Sequence, residues 1–255
     1  MTLDLAGRRI LVVGASEVIG KEFAELAIAA GATVVLAARR LDALTEITDR
    51  LGAGLAVFAD VTDDASIDAL VAASLTALGE IDLVIYAAGA ASLRPIKDVD
   101  SESWSRTLGI NVVGFNQLAR RVVGAMAAGG IIVALSSETA AVPRDGMVAY
   151  AASKAALEVS VRGWHTEHPE VRWSCVAVGA TFPTGFGSSF DPQLIGDLMG
   201  RWIKRGLLQD SFMVPAEVAQ HLLATYASAL DLPSINVDQI TLRSPSATFG
   251  AAAPA

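Results

Sequence analysis

Tyr150 and Lys154 stand four residues apart in the run Tyr150-Ala151-Ala152-Ser153-Lys154. The apolar spacing predicts a helix over Tyr150–His165, which puts a phenol and an ammonium on one face. A free phenol titrates near 10, too high for easy proton exchange with an alkoxide at neutrality. An ammonium about 5 Å away, at an effective dielectric of about 20, favours the phenolate by about 3 kcal/mol, about a hundredfold in acidity. Ser137 lies 13 residues before Tyr150, just after the apolar run Ile131–Leu135. A hydroxyl at the carboxyl end of a central strand faces a ligand crevice and could hold a carbonyl or alcohol oxygen beside the phenol. Alternation along the strand end points Ser136 the other way. Asn111 sits inside a stretch, Glu102–Met126, that reads as one apolar helix, where a buried amide needs partners.

A second constellation lies at the amino end. Gly14, Ser16, Glu17, Val18, Ile19 and Gly20 occupy the turn between Ile10–Val13 and a helical stretch at Lys21–Ala30. Backbone N–H groups and the positive end of a helix at such a turn suit the pyrophosphate of a dinucleotide. The next strand ends in Ala38-Arg39-Arg40. A carboxylate about 20 residues after the glycine turn would bind a ribose 2′-hydroxyl and favour NAD. Ala38 stands there instead, and a guanidinium next to it can grip a 2′-phosphate in bidentate fashion, so NADP(H) is expected ahead of NAD(H). Glu17 would repel that phosphate.

These groups must be positioned by an alternation of strands and helices. Thr33–Leu36, Leu55–Phe58, Ile81–Ile85, Val171–Val176 and Ile235–Leu242 read as further strands, and Leu41–Leu51, Asp64–Leu78 and Pro215–Leu230 as further helices. Short strands apolar at successive positions need cover on both faces, which predicts a doubly wound parallel sheet of about seven strands in one α/β domain, residues 1–243. Residues 244–255 read as a loose tail. The segment 178–214 breaks the rhythm, mixing Gly185, Gly187 and Pro192 with Phe186, Phe190, Leu198, Met199 and Trp202. Its length suits a lid over a hydrophobic substrate, and its apolar residues equally suit a core or a subunit contact.

The whole chain narrows the choice. Its 255 residues carry 19 basic and 27 acidic side chains, a formal charge of −8, which gives no basic field for nucleic acid or an anionic membrane. Hydrophobic residues make up 53%, too many for a disordered chain. The single cysteine, Cys175, allows no intramolecular disulfide and suits an inert core thiol. No apolar run is long enough to span a bilayer and no secretory leader is evident, so a cytoplasmic protein is expected. His165 and His168 suit a helix C-terminus better than a metal site.

Taken together, the Gly14–Gly20 turn, Asn111, Ser137, Tyr150 and Lys154 resemble the short-chain dehydrogenase/reductase family in residue type, order and spacing. The likeness covers about residues 5–243. It implies that Tyr150 is the acid/base, Ser137 the orienter and polariser, Lys154 the ribose anchor and Asn111 the support of a relay water. It implies adenine contacts at Asp60 and Val61, nucleotide contacts at Ala88 and Gly89, and nicotinamide contacts at Gly179 and at Thr181 or Thr184. It also implies a homodimer or homotetramer acting on a small carbonyl or alcohol. Five positions depart from the family pattern: Val13 and Val18 in the turn, Tyr86 and Ala87 where two asparagines are usual, and Val178 where a proline is usual; the final strand also lacks the Asp-Gly-Gly ending of many relatives. Glu17, Val18 and Tyr86 motivate a rival, a cofactor-binding regulator or scaffold of the same fold with impaired catalysis. A second rival, epimerisation or dehydration with bound cofactor, suits longer chains.

Overall fold

The computed structural model describes residues 3–184 and 190–245. Seven strands form one parallel sheet in the order β3-β2-β1-β4-β5-β6-β7. They are β1 (Arg9–Val13), β2 (Thr33–Ala38), β3 (Leu55–Phe58), β4 (Ile81–Tyr86), β5 (Met126–Ser137), β6 (Arg172–Val178) and β7 (Gln239–Leu242). The helices are α1 (Val18–Ala29), α2 (Leu41–Leu51), α3 (Asp64–Leu78), α4 (Ser101–Leu108), α5 (Gly114–Val122), α6 (Val148–Glu167), α7 (Pro192–Lys204) and α8 (Pro215–Asp231).

The side-chain period of a strand divides the apolar residues between two cores. Ile10, Val12, Leu36 and Val133 face α1, α2 and α8. Leu11, Val13, Ala37 and Ile132 face α3, α5 and α6. Both faces of the sheet are covered, as the continuous apolar strands require. Sheet order reverses between β1 and β4, and that reversal opens a crevice beyond the carboxyl ends of the strands.

Several elements differ from the sequence reading, among them β5, which extends from the expected Ile131–Leu135 to Met126–Ser137. The expected helix Glu102–Met126 begins at Ser101 and is interrupted by a π turn over Gly109–Val113, where the N–H of Gly114 bonds the carbonyl of Gly109. It is over by Ala125, because Met126 already pairs with Ile81 as the start of β5. The expected strand Ile235–Leu242 shortens to Gln239–Leu242, since the backbone of Ile235 is taken up elsewhere: its N–H bonds the Leu232 carbonyl in a turn and its carbonyl accepts from the Arg172 guanidinium. Within 178–214, α7 packs Leu198 and Trp202 into a third core with Leu93, Met147 and Tyr150. Gly185, Phe186, Gly187 and the tail from residue 246 lie outside the described residues. Among the described residues, no helix is long and apolar enough to cross a membrane.

Candidate active site

The end of β5 and the first turns of α6 meet at the crevice. Ser137 is the last residue of β5, and its Oγ accepts a 2.9 Å hydrogen bond from the Thr139 hydroxyl. Tyr150 lies in the first turn of α6 and hydrogen-bonds Ser137 through its phenol. Lys154, one turn on, is buried, with Nζ 5.7 Å from the centre of the Tyr150 ring. That Nζ donates to the carbonyl of Leu135 at 2.7 Å. Ser136 points away, as alternation requires, and donates to Glu158 at 2.7 Å.

Burial sets the acid–base character of this cluster. It pushes the Tyr150 phenol up to about 12, and the bond with Ser137 pulls only part of the way back. The same burial draws Lys154 down to about 8, against the opposing pull of Cys175 and Glu158. The acidified phenol expected from its lysine neighbour is therefore not what the protein alone holds. The phenolate would be desolvated, and the ammonium is already engaged by Leu135.

Asn111 sits in the π turn with no exposure. Its amide nitrogen donates to the Ala90 carbonyl and to Ser153 Oγ, both at 2.8 Å, and its oxygen accepts from the Ala90 N–H at 2.8 Å. Both amide hydrogens are spent joining the loop after β4 to α6. Asn111 thereby fixes the crevice walls. Ser153, which the helical spacing had left unremarked, completes that joint.

At the amino end the turn keeps its shape despite Val18. Gly14 adopts φ +87°, and a Cβ there would stand 2.5 Å from the Ala88 nitrogen. A Cβ on Gly20 would stand 2.3 Å from the Gly14 carbonyl oxygen. Backbone thus packs on backbone at both glycines, which leaves no room for side chains. Val18 takes φ +52°, the left-handed region that a β-branched residue rarely enters, so the turn is strained at that residue. Glu17 caps α1 without a side-chain bond to its N–H groups, which stay available to an anion. A cavity of about 450 Å³ opens there, lined by Ser16, Glu17, Val18, Arg40, Thr184 and Pro215. An exposed helix N-terminus over such a cavity suits a dinucleotide pyrophosphate.

The two arginines after β2 divide. Arg40 pairs with Glu17 at 3.0 Å and donates to the Ser16 carbonyl and hydroxyl at 3.2 Å. Arg39 is exposed and forms no hydrogen bond or ion pair with the described residues, its field reaching Asp60. Asp60 is held below the usual carboxylate range, first by the Thr62 hydroxyl and N–H and then by Arg39. Its carboxylate therefore shapes the turn after β3. Val61 is buried against the second core.

Tyr86 replaces the usual amide with a different brace. Its buried hydroxyl donates to the Ile110 carbonyl at 2.6 Å, tying β4 to the π turn. A Cβ on Gly114 would come within 2.8 Å of that oxygen, so the glycine makes space for the phenol. Ala88 lies against Gly14, and a Cβ on Gly89 would stand 3.7 Å from both Asn111 Oδ1 and Lys154 Nζ. After β6, Gly179 is enclosed by Leu242 and Glu138. The Thr181 hydroxyl is turned back onto the Gly179 carbonyl at 3.0 Å, whereas Thr184 lines the cavity beside Val18. The apolar wall of Leu93, Met147, Leu198 and Trp202 around Tyr150 was only partly visible in the sequence, because its members come from three separate segments.

Comparison with known proteins places this geometry. A family model described as short chain dehydrogenase matches residues 8–194. The glycine betaine reductase ATRR of Emericella nidulans is 34% identical over 199 residues, 75% of this chain but 16% of that protein. An NAD-dependent glycerol dehydrogenase of Listeria innocua is 30% identical over 238 residues, 90% of each chain. A solved 7α-hydroxysteroid dehydrogenase complexed with NADH and 7-oxo glycochenodeoxycholic acid is 25% identical, has a TM-score of 0.82 and covers 97% of both chains.

Proposed function

The chain belongs to the short-chain dehydrogenase family, and on that premise we propose that it is an NADP(H)-dependent oxidoreductase interconverting a hydrophobic ketone or aldehyde and its alcohol. When bound, the nicotinamide supplies or accepts the hydride. The rest is work for the chain's own residues. Ser137 holds the substrate oxygen, and Tyr150 Oη gives a proton to that oxygen in reduction or takes one in oxidation. Lys154 anchors the cofactor ribose and places a positive charge beside the developing charge. Asn111 holds the crevice walls in register and supports the relay water from the main chain, since its side chain is occupied.

The observation that carries this reading is the buried Ser137–Tyr150–Lys154 cluster facing an apolar wall at the sheet's crevice. A phenol pushed up to about 12 is protonated at neutrality, the form that carbonyl reduction needs. The cofactor contacts assigned to this reading are Gly14, Ser16, Val18, Ile19 and Gly20 at the pyrophosphate, Asp60 and Val61 at the adenine, and Ala88, Gly89, Gly179 and Thr184 toward the nicotinamide. The preference for NADP(H) rests on Arg39, whose guanidinium has no hydrogen-bond or ion-pair partner among the described residues, while Arg40 is spent on Glu17 and the turn. The named relatives include NAD-linked ones, so this preference belongs to the chain's own residues. The working unit in this reading is a homodimer or homotetramer in the cytoplasm.

The rival of a catalytically impaired scaffold is less well supported. Glu17 is neutralised by Arg40, Val18 leaves the turn in place, and Tyr86 finds a partner in Ile110. The test is a panel of apolar and polar ketones and alcohols, each assayed with both cofactors. Turnover of apolar carbonyls with NADPH ahead of NADH is expected. No turnover with either cofactor would return the scaffold reading, and tryptophan quenching at about millimolar NADPH tells whether that scaffold still binds cofactor.

A further inference from the structure

One helical turn beyond Lys154, α6 carries a carboxylate at Glu158, so phenol, ammonium and carboxylate recur at four-residue spacing along one face. Glu158 Oε1 accepts a 2.7 Å hydrogen bond from Ser136 Oγ. The preceding residue of β5, Leu135, gives its carbonyl to Lys154 Nζ at 2.7 Å. Consecutive residues at one strand end thus hold an ammonium and a carboxylate that lie on successive turns of one helix.

We propose that Glu158 is a positioning residue for Lys154: Ser136 fixes its carboxylate as the countercharge that keeps the buried ammonium protonated at working pH. The consequence for turnover rests on the function proposed above; the pairing itself does not. Ser136 then has a role of its own, distinct from the role of its neighbour Ser137.

The groups that bear on Lys154 come from three sides. Tyr150 and Glu158 face it from α6, Cys175 from β6, and the neutral amide of Asn111 flanks it beside Gly89. Burial pulls the ammonium down to about 8. Cys175 also pulls the ammonium up, but only as a thiolate, and burial pushes that thiol up to about 12, so near pH 7 it is neutral and the standing countercharge falls to Glu158. Arg162, one turn beyond Glu158, acts on Cys175 in the opposite sense to Glu158. Glu158 is therefore the one carboxylate among the described residues that supports the charge on Lys154. Without it the lysine would lose its proton close to neutrality.

The experiment is a lysine titration by NMR, with isotope-labelled lysine in the full chain. The protein has four lysines, Lys21, Lys97, Lys154 and Lys204, and Lys154→Met identifies the buried one by the signal it removes. In Glu158→Gln the Lys154 midpoint is expected to fall by about one pH unit. Ser136→Ala should move it the same way by less, and Glu158→Asp should restore part of it. In the same variants the alkaline limb of kcat/KM moves down with that midpoint, while activity at about pH 6 stays within about twofold. A purely structural role would lower activity at every pH and leave the midpoint in place. An unchanged midpoint in folded Glu158→Gln, or in Ser136→Ala should the first fail to fold, overturns the proposal. A shifted midpoint in a protein that turns over no carbonyl or alcohol would uphold the pairing and overturn the oxidoreductase reading.

Discussion

Replacing Arg39 by alanine removes the guanidinium that stands after β2 without a hydrogen-bond or ion-pair partner among the described residues. A charge-assisted hydrogen bond to a phosphate contributes about 1.5–3 kcal/mol, so NADPH affinity should fall about tenfold or more while NADH affinity holds. Arg40→Ala should instead weaken both cofactors alike, since Arg40 holds Glu17 and Ser16. Fluorescence titration with the two cofactors separates these outcomes, and equal losses in Arg39→Ala would reverse the assignment. The residue types at the site were legible because Tyr150 and Lys154 share one helix and Ser137 closes one strand. The Glu17–Arg40 pair was not, because its partners belong to different elements. Nor could the sequence show the state of the phenol, which depends on how deeply Tyr150 is buried.

At the scale of elements, α2 and α3 follow the sequence reading because their ends are written locally. Gly52 closes α2 in the left-handed conformation, and the Asp63 side chain caps α3 by accepting from the Ala65 N–H at 3.1 Å. The helix read over Glu102–Met126 hid a π turn, since its apolar periodicity continues through the interruption. Gly109 and Gly114, which bound that turn, were its only local signal. Tyr86 depends on it, and Tyr86→Phe should cost about 1–2 kcal/mol in urea unfolding by orphaning the Ile110 carbonyl. The glycine turn makes the opposite prediction. Val18→Gly relieves the positive φ and should raise stability by about 1 kcal/mol, with NADPH bound at least as tightly. Destabilisation by that change would mean that the valine's packing outweighs its strain.

The whole molecule is a sheet closed on two faces, and the pole of the sheet away from the crevice is tied by charge. Arg9 grips Asp82 with Nε at 2.9 Å and Nη2 at 3.0 Å, and its backbone N–H adds a third bond at 2.8 Å. Burial alone would raise that carboxyl; the bonds and charge of Arg9 more than reverse it and hold it below 3.8. A carboxyl lowered on folding stabilises the protein above its ordinary range and loses that contribution as pH falls through its lowered value. Asp82→Asn should therefore cost about 2 kcal/mol at neutral pH, with the gap from the parent closing below 3.8 in urea titrations. A gap independent of pH would place the loss in packing. Above that pole, the two cores bring the end of β5, the start of α6 and the glycine turn to one crevice, where the proposed chemistry rests on one phenol. Tyr150→Phe removes only that hydroxyl, so its turnover of a reduced carbonyl and its NADPH affinity, measured on the same preparation, test the account most directly. Turnover should fall by about a hundredfold or more with NADPH bound within about twofold of the parent; surviving turnover, or binding lost in step with it, would contradict the account.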